Sequence, residues 1–136
     1  MKPELEALAR RAVACKGWRW MPGMLIADNG EGVRVSGICA EFLHGAAAET
    51  PVNRHGPAWM RLRRDSAQVP VVDDPATLGC LLALVREAWS EPILSVAWAG
   101  GRWYVVQRIL RSVDALRWID TATEAEALVA ALEAAP

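Results

Sequence analysis

Residues 73–89 (Asp-Asp-Pro-Ala-Thr-Leu-Gly-Cys-Leu-Leu-Ala-Leu-Val-Arg-Glu-Ala-Trp) constrain the fold more than any other stretch of the chain. Asp74 can accept hydrogen bonds from the first free amides of a helix, and Pro75 lacks the N–H that would be orphaned at the next position. Leu78, Leu81, Leu82, Val85 and Trp89 recur at the spacing of one helical face. Cys80 and Leu84 widen that face, so the helix is expected to press on a broad apolar surface such as a sheet.

The flanking segments supply further elements. Residues 3–16 read as a short amphipathic helix, with Pro3 and Glu4 in the first turn, Leu5, Leu8, Ala12 and Cys15 inward, and Gly17 as a left-handed stop. Residues 24–28 and 33–40 read as a hairpin across Asn29-Gly30-Glu31-Gly32. Residues 58–64 alternate apolar and basic, as a half-buried strand does, and Pro70 confines residues 69–72 to a sheet edge. Residues 93–98 and 102–110 form a second hairpin across Gly100-Gly101, with Trp98 and Trp103 paired beside the turn, and residues 115–119 can add a strand. Thr123 and Glu126 make a capping box for a last helix lined by Ala125, Leu128, Val129 and Leu132. Residues 41–58 lack periodicity and read as a long irregular connection.

A chain of 136 residues is one domain's worth and can bury roughly two thirds of its unfolded surface. The expectation is a single α+β domain over 1–136, a layered sandwich in which about three helices pack an antiparallel sheet of about 4–6 strands. The net charge of −1 excludes recruitment to a polyanion or membrane by bulk field. The charge is unevenly spread, with +3 over residues 1–70 and −4 over residues 71–136. Cys15, Cys39 and Cys80 are odd in number and far apart, and no apolar leader follows Met1-Lys2-Pro3. These features lead us to expect a reduced, cytoplasmic protein without a membrane span.

Three pieces, the Asp-Pro helix at 74–89, Gly-Gly-Arg-Trp-Tyr-Val-Val at 100–106 and Thr-Glu-Ala-Glu-Ala-Leu-Val-Ala-Ala-Leu at 123–132, resemble small phage and prophage proteins grouped as phage ABA-sandwich domains. The opening Arg19-Trp20-Met21-Pro22-Gly23-Met24 is similar to short proteins of temperate-phage accessory regions. Together these segments cover about half of the chain. The resemblance implies an α/β layered fold and a phage origin, and it supplies no catalytic residue.

Catalysis is not expected. Cys39, His44 and His55, with Asp65 or Asp73, match no zinc spacing, and no cofactor motif follows a strand. Asp73-Asp74 is explained by helix capping rather than by acid–base work. A protein-binding role follows from the seven Trp set against a single Phe and a single Tyr, since so many indoles are hard to bury in one small domain. The candidate contact residues are Trp18, Arg19, Trp20, Arg54, Trp59, Arg61, Arg63 and Arg64, because Trp and Arg dominate binding hot spots. For Trp18 and Trp20 the competing reading is that both indoles lock the helix-to-strand corner against the core. With the phage resemblance, the expected partner is a host protein. The sharpest version is a host-defence inhibitor of the anti-CRISPR kind, with a dimer on the same surface as a further arrangement. The alternative is a nucleic-acid-associated accessory protein using the basic patch at Arg61–Arg64.

Overall fold

The structure is a computed structural model that describes residues 1–28, 31–36, 47–49, 59–61, 68–106 and 121–136. Three helices are present among these residues: α1 (Pro3–Ala14), α2 (Pro75–Ala88) and α3 (Glu124–Glu133). The strands are β1 (Leu25–Asp28), β2 (Glu31–Ser36), β3 (Ala47–Glu49), β4 (Trp59–Arg61), β5 (Val69–Pro70), β6 (Ser95–Ala99) and β7 (Arg102–Val106). The class is α+β with antiparallel pairing throughout. Instead of the one sheet expected, the strands fall into two ladders, one in the order β4-β3-β2-β1-β5 and the other the β6–β7 hairpin.

Local chemistry accounts for most element boundaries. Asp74 accepts from the Thr77 amide at 2.9 Å and opens α2, as its position ahead of Pro75 requires. The capping box of α3 is complete, with reciprocal bonds between Thr123 and Glu126. Pro22 and Gly23 occupy the centre of a turn closed by Met24 N–H to the Met21 carbonyl at 3.2 Å, and Gly23 takes φ +95. The β1–β2 register pairs Asp28 with Glu31, so the connection is Asn29-Gly30 alone rather than the four residues expected. Pro70 ends its ladder at the edge.

Three expectations need correction. Gly17 has no positive φ, and α1 instead ends at Cys15, whose backbone turns extended with ψ 142. The physical reason for Gly17 is packing: a Cβ there would meet Ala88 Cβ and Leu132 Cδ1 at 3.3 Å each. The connection at 41–58 is not wholly irregular, because Ala47–Glu49 pairs with both β2 and β4. Residues 37–46, 50–58, 62–67 and 107–120, with the expected strand at 115–119, lie outside the described residues.

The third correction concerns the centre of the molecule. α2 buries Thr77, Leu81, Leu84 and Val85, and its most extensive partner among the described elements is α3, not a sheet. α3 also touches α1, β6 and β7. Six of its ten residues are buried: Ala125, Ala127, Leu128, Val129, Ala131 and Leu132. Its alanines let neighbouring backbones approach closely, so this terminal helix becomes the hub of one connected core.

Candidate partner-binding surface

The Trp18–Trp20 corner joins α1 to β1. Trp18 is 4% exposed and Trp20 8%, and their rings meet edge to face at a centroid distance of 5.5 Å. Both indoles therefore lock the corner, which removes them from the accessible contact surface expected of them. Trp18 Nε1 is buried and has no hydrogen-bond partner among the described residues. Arg19 points outward and is tied to Glu87 of α2 at 2.6 Å. Trp59 and Arg61 belong to β4, while Arg54, Arg63 and Arg64 lie outside the described residues.

A second polar cluster joins β2, β1 and α2. Arg34 donates to both carboxylate oxygens of Asp74 at 2.8 and 2.9 Å and to the Gly23 carbonyl at 2.8 Å. The fully buried Thr77 hydroxyl donates to Asp74 at 3.1 Å and accepts the Leu25 amide at 2.9 Å. The Arg34 hydrogen bonds, reinforced by those from Thr77, hold the Asp74 carboxyl well below the usual carboxylate range. Every group here is satisfied by another, so the cluster is a clamp between the first turn of α2 and the β1–β2 ladder.

The C-terminal ends of the three helices surround a groove of about 530 Å³, lined by Cys15, Lys16, Gly17, Ala88, Leu132 and Glu133 among others. Arg11 closes its rim through a bidentate pair with Glu133 at 2.7 and 2.9 Å, which draws the Glu133 carboxyl below its ordinary range. The Cys15 thiol donates to the Arg11 carbonyl at 3.3 Å. Burial pushes the Cys80 thiol up, away from reactivity. No group of three or more His, Cys, Asp or Glu able to hold a metal occurs among the described residues. Cys39, His44, His55 and Asp65 lie outside those residues, and Asp73 is exposed. No described helix is long and apolar enough to cross a membrane.

Among the described residues, the most exposed Trp lies elsewhere. Gly100 and Gly101 take φ +58 and +81, the pair of left-handed residues that a type I′ turn needs. The turn sets the register of β6 on β7, placing Trp98 opposite Trp103 as the sequence led us to expect, and Val96 opposite Val105. By the period of two, Val96 and Trp98 share one face. That face buries Val105 and packs Val96 and Trp103 against the core, then runs past the core to Trp98, which is 63% exposed. Ile93, just ahead of β6, is 48% exposed.

Among the described residues, the outer edge of β6 is unpaired as well. Trp103 exchanges both of its backbone bonds with Thr121, at 2.9 and 3.1 Å, so its amide and carbonyl point away from β6. Trp98 and Trp103 are thus a non-hydrogen-bonded pair, and the amides and carbonyls of Trp98 and Val96 point out from the other side of the hairpin. Neither residue has a main-chain partner there among the described residues. Sequence reasoning placed Trp98 only as a cross-strand neighbour. The signal it passed over was alternation: Trp98 continues the Val96 face beyond the reach of a ten-residue helix. No protein-family model, no curated protein and no solved structure matches the chain, so the reading of this surface rests on its geometry.

Proposed function

We propose that this chain is a non-enzymatic protein-binding module that modulates a host protein in the cytoplasm, and that its contact surface is built on the β6–β7 hairpin around Trp98. In this reading the two ladders and three helices form one layered sandwich whose hairpin tip overhangs the core. One observation carries the reading: a Trp that is 63% exposed on a strand held in register by a two-glycine turn. An indole is the side chain most enriched at the energetic centre of interfaces, and here its strand is already ordered, which lowers the entropy lost on docking. The narrower version, a phage or prophage accessory protein acting on host defence such as a CRISPR effector, draws on the likeness of residues 74–89, 100–106 and 123–132 stated above.

The test is quantitative capture of host proteins by the wild-type chain, by Trp98→Ala and by Arg10→Ala, whose guanidinium is exposed on α1 and engaged with Glu6. A partner that saturates on the wild type, is retained by Arg10→Ala and is weakened at least about tenfold by Trp98→Ala supports the reading. Equal capture by all three chains refutes it. The nucleic-acid alternative, which uses Arg54, Arg61, Arg63 and Arg64 beside Trp59, predicts instead a DNA or RNA affinity that falls steeply with salt and is indifferent to Trp98.

A further inference from the structure

The exposed indole lies on a strand whose outer edge has no main-chain partner among the described residues, and the two features coincide on Val96 and Trp98. Natural proteins guard such an edge with a Lys, a Pro or a bulge. Ser95-Val96-Ala97-Trp98-Ala99 has none of these, because it carries no charge and no proline and its pairing with β7 is continuous. We propose that this edge pairs with the same edge of a second copy, β6 against β6 antiparallel about a two-fold axis through Ala97. The proposal deepens the reading of the hairpin as a binding surface and rests on it.

The register follows from the side on which the main chain is free. Val96 and Trp98 present their amides and carbonyls outward, so the axis that satisfies both places Val96 opposite Trp98 of the second copy, and Trp98 opposite the second copy's Val96. Each pair then exchanges reciprocal main-chain bonds, and Ala97 faces its own copy. Side-chain sizes suit this arrangement: each indole lies over a valine on the core-facing side, and the methyl of Ala97 is small enough to meet itself on the other. A foreign strand would be selected by charge or by a pocket beside the edge, and Ser95–Ala99 offers no charged side chain for that purpose. Self-pairing needs only the uncharged, self-complementary register that is present.

The experiment is sedimentation equilibrium of the full chain at concentrations up to the tens of micromolar. Wild type is expected to dimerise. Ala97→Lys and Ala97→Glu each place like charges face to face across the axis and should raise the dissociation constant at least about tenfold. An equimolar mixture of the two variants should restore association, which unfolded chains would not do. Trp98→Ala, at a position the core does not need, should also weaken the dimer. A monomeric wild type, or a dimer that ignores both Ala97 substitutions, overturns the proposal. A monomeric wild type that still captures a host protein through Trp98 would overturn self-pairing while leaving the binding role in place. A monomer with no Trp98-dependent partner would remove both.

Discussion

Asp74 offers the sharpest test of how the fold is held. Replacing it with Ala removes the N-cap of α2, worth about 1 kcal/mol, and the bidentate pair with Arg34. Arg34 is 51% exposed, so water limits that pair to at most about 1 kcal/mol. The expected loss at neutral pH is therefore about 2 kcal/mol. For a chain of this length that corresponds to a fall in melting temperature of roughly 6–10 °C. Asp74→Asn separates the two contributions: Asn still caps a helix but cannot pair with Arg34 as an anion, so it should cost about half as much. The pH dependence has a definite sign. Because Arg34 holds the folded carboxyl below its unfolded value, the unfolded state takes up the proton first as pH falls. The pair's contribution is thus complete at neutral pH and shrinks once the pH drops below the ordinary Asp range, about 4. Urea unfolding of wild type, Asp74→Asn and Asp74→Ala at pH 7 and near pH 3 reads all of this. An Asp74→Asn penalty that is the same at both pH values, or an Asp74→Ala penalty below about 0.5 kcal/mol, would refute the reasoning.

Other perturbations probe separate parts of the molecule. Thr77→Val keeps the volume but leaves the Leu25 amide without its acceptor, and should cost about 1–3 kcal/mol in chemical denaturation. Leu128→Ala, at the fully buried centre of α3, should cost about 2–5 kcal/mol in the same assay. Gly101→Ala meets no atom within 4 Å but holds φ +81, so its cost of about 1–2 kcal/mol is purely conformational, and Gly100→Asn should be milder because Asn tolerates the left-handed region. In acrylamide quenching, Trp98→Phe should remove a readily quenched component of the emission, whereas Trp18→Phe should leave the quenchable intensity unchanged and remove only shielded emission, because that ring is 4% exposed.

Features decided within a few residues were legible before any coordinates. The Asp74 cap, the Thr123–Glu126 box, the Pro22-Gly23 turn and the Gly100-Gly101 reversal each need only their neighbours, and each has the conformation its residues dictate. Features decided across the chain were not. The apolar face at 78–89 marks a helix but is silent on whether a sheet or another helix covers it. The alanines at 125, 127 and 131 contribute little apolar area each, so they conceal that α3 is the hub; their value is the close approach they allow. The two Trp of the first corner carry the same composition signal as Trp98, yet their exposures of 4%, 8% and 63% are opposite in meaning. Only the packing around each ring determines which indoles are covered. Gly17 misled for a related reason, since a glycine needed for clearance and a glycine needed for a left-handed turn are identical in the sequence.

Because the hub is the last of the described elements, α1 and α2 are synthesised before the surface that covers them exists. About 45 residues separate the end of α2 from the far end of α3, and at about 5–20 residues per second a ribosome takes roughly 2–9 s to make them. During that interval the leucines and valines of α2 have no native α3 to settle against, and a nascent chain in that state is a natural client for a chaperone. Settling of α1 and α2 into their native packing is therefore expected to wait until the alanine-rich segment has emerged.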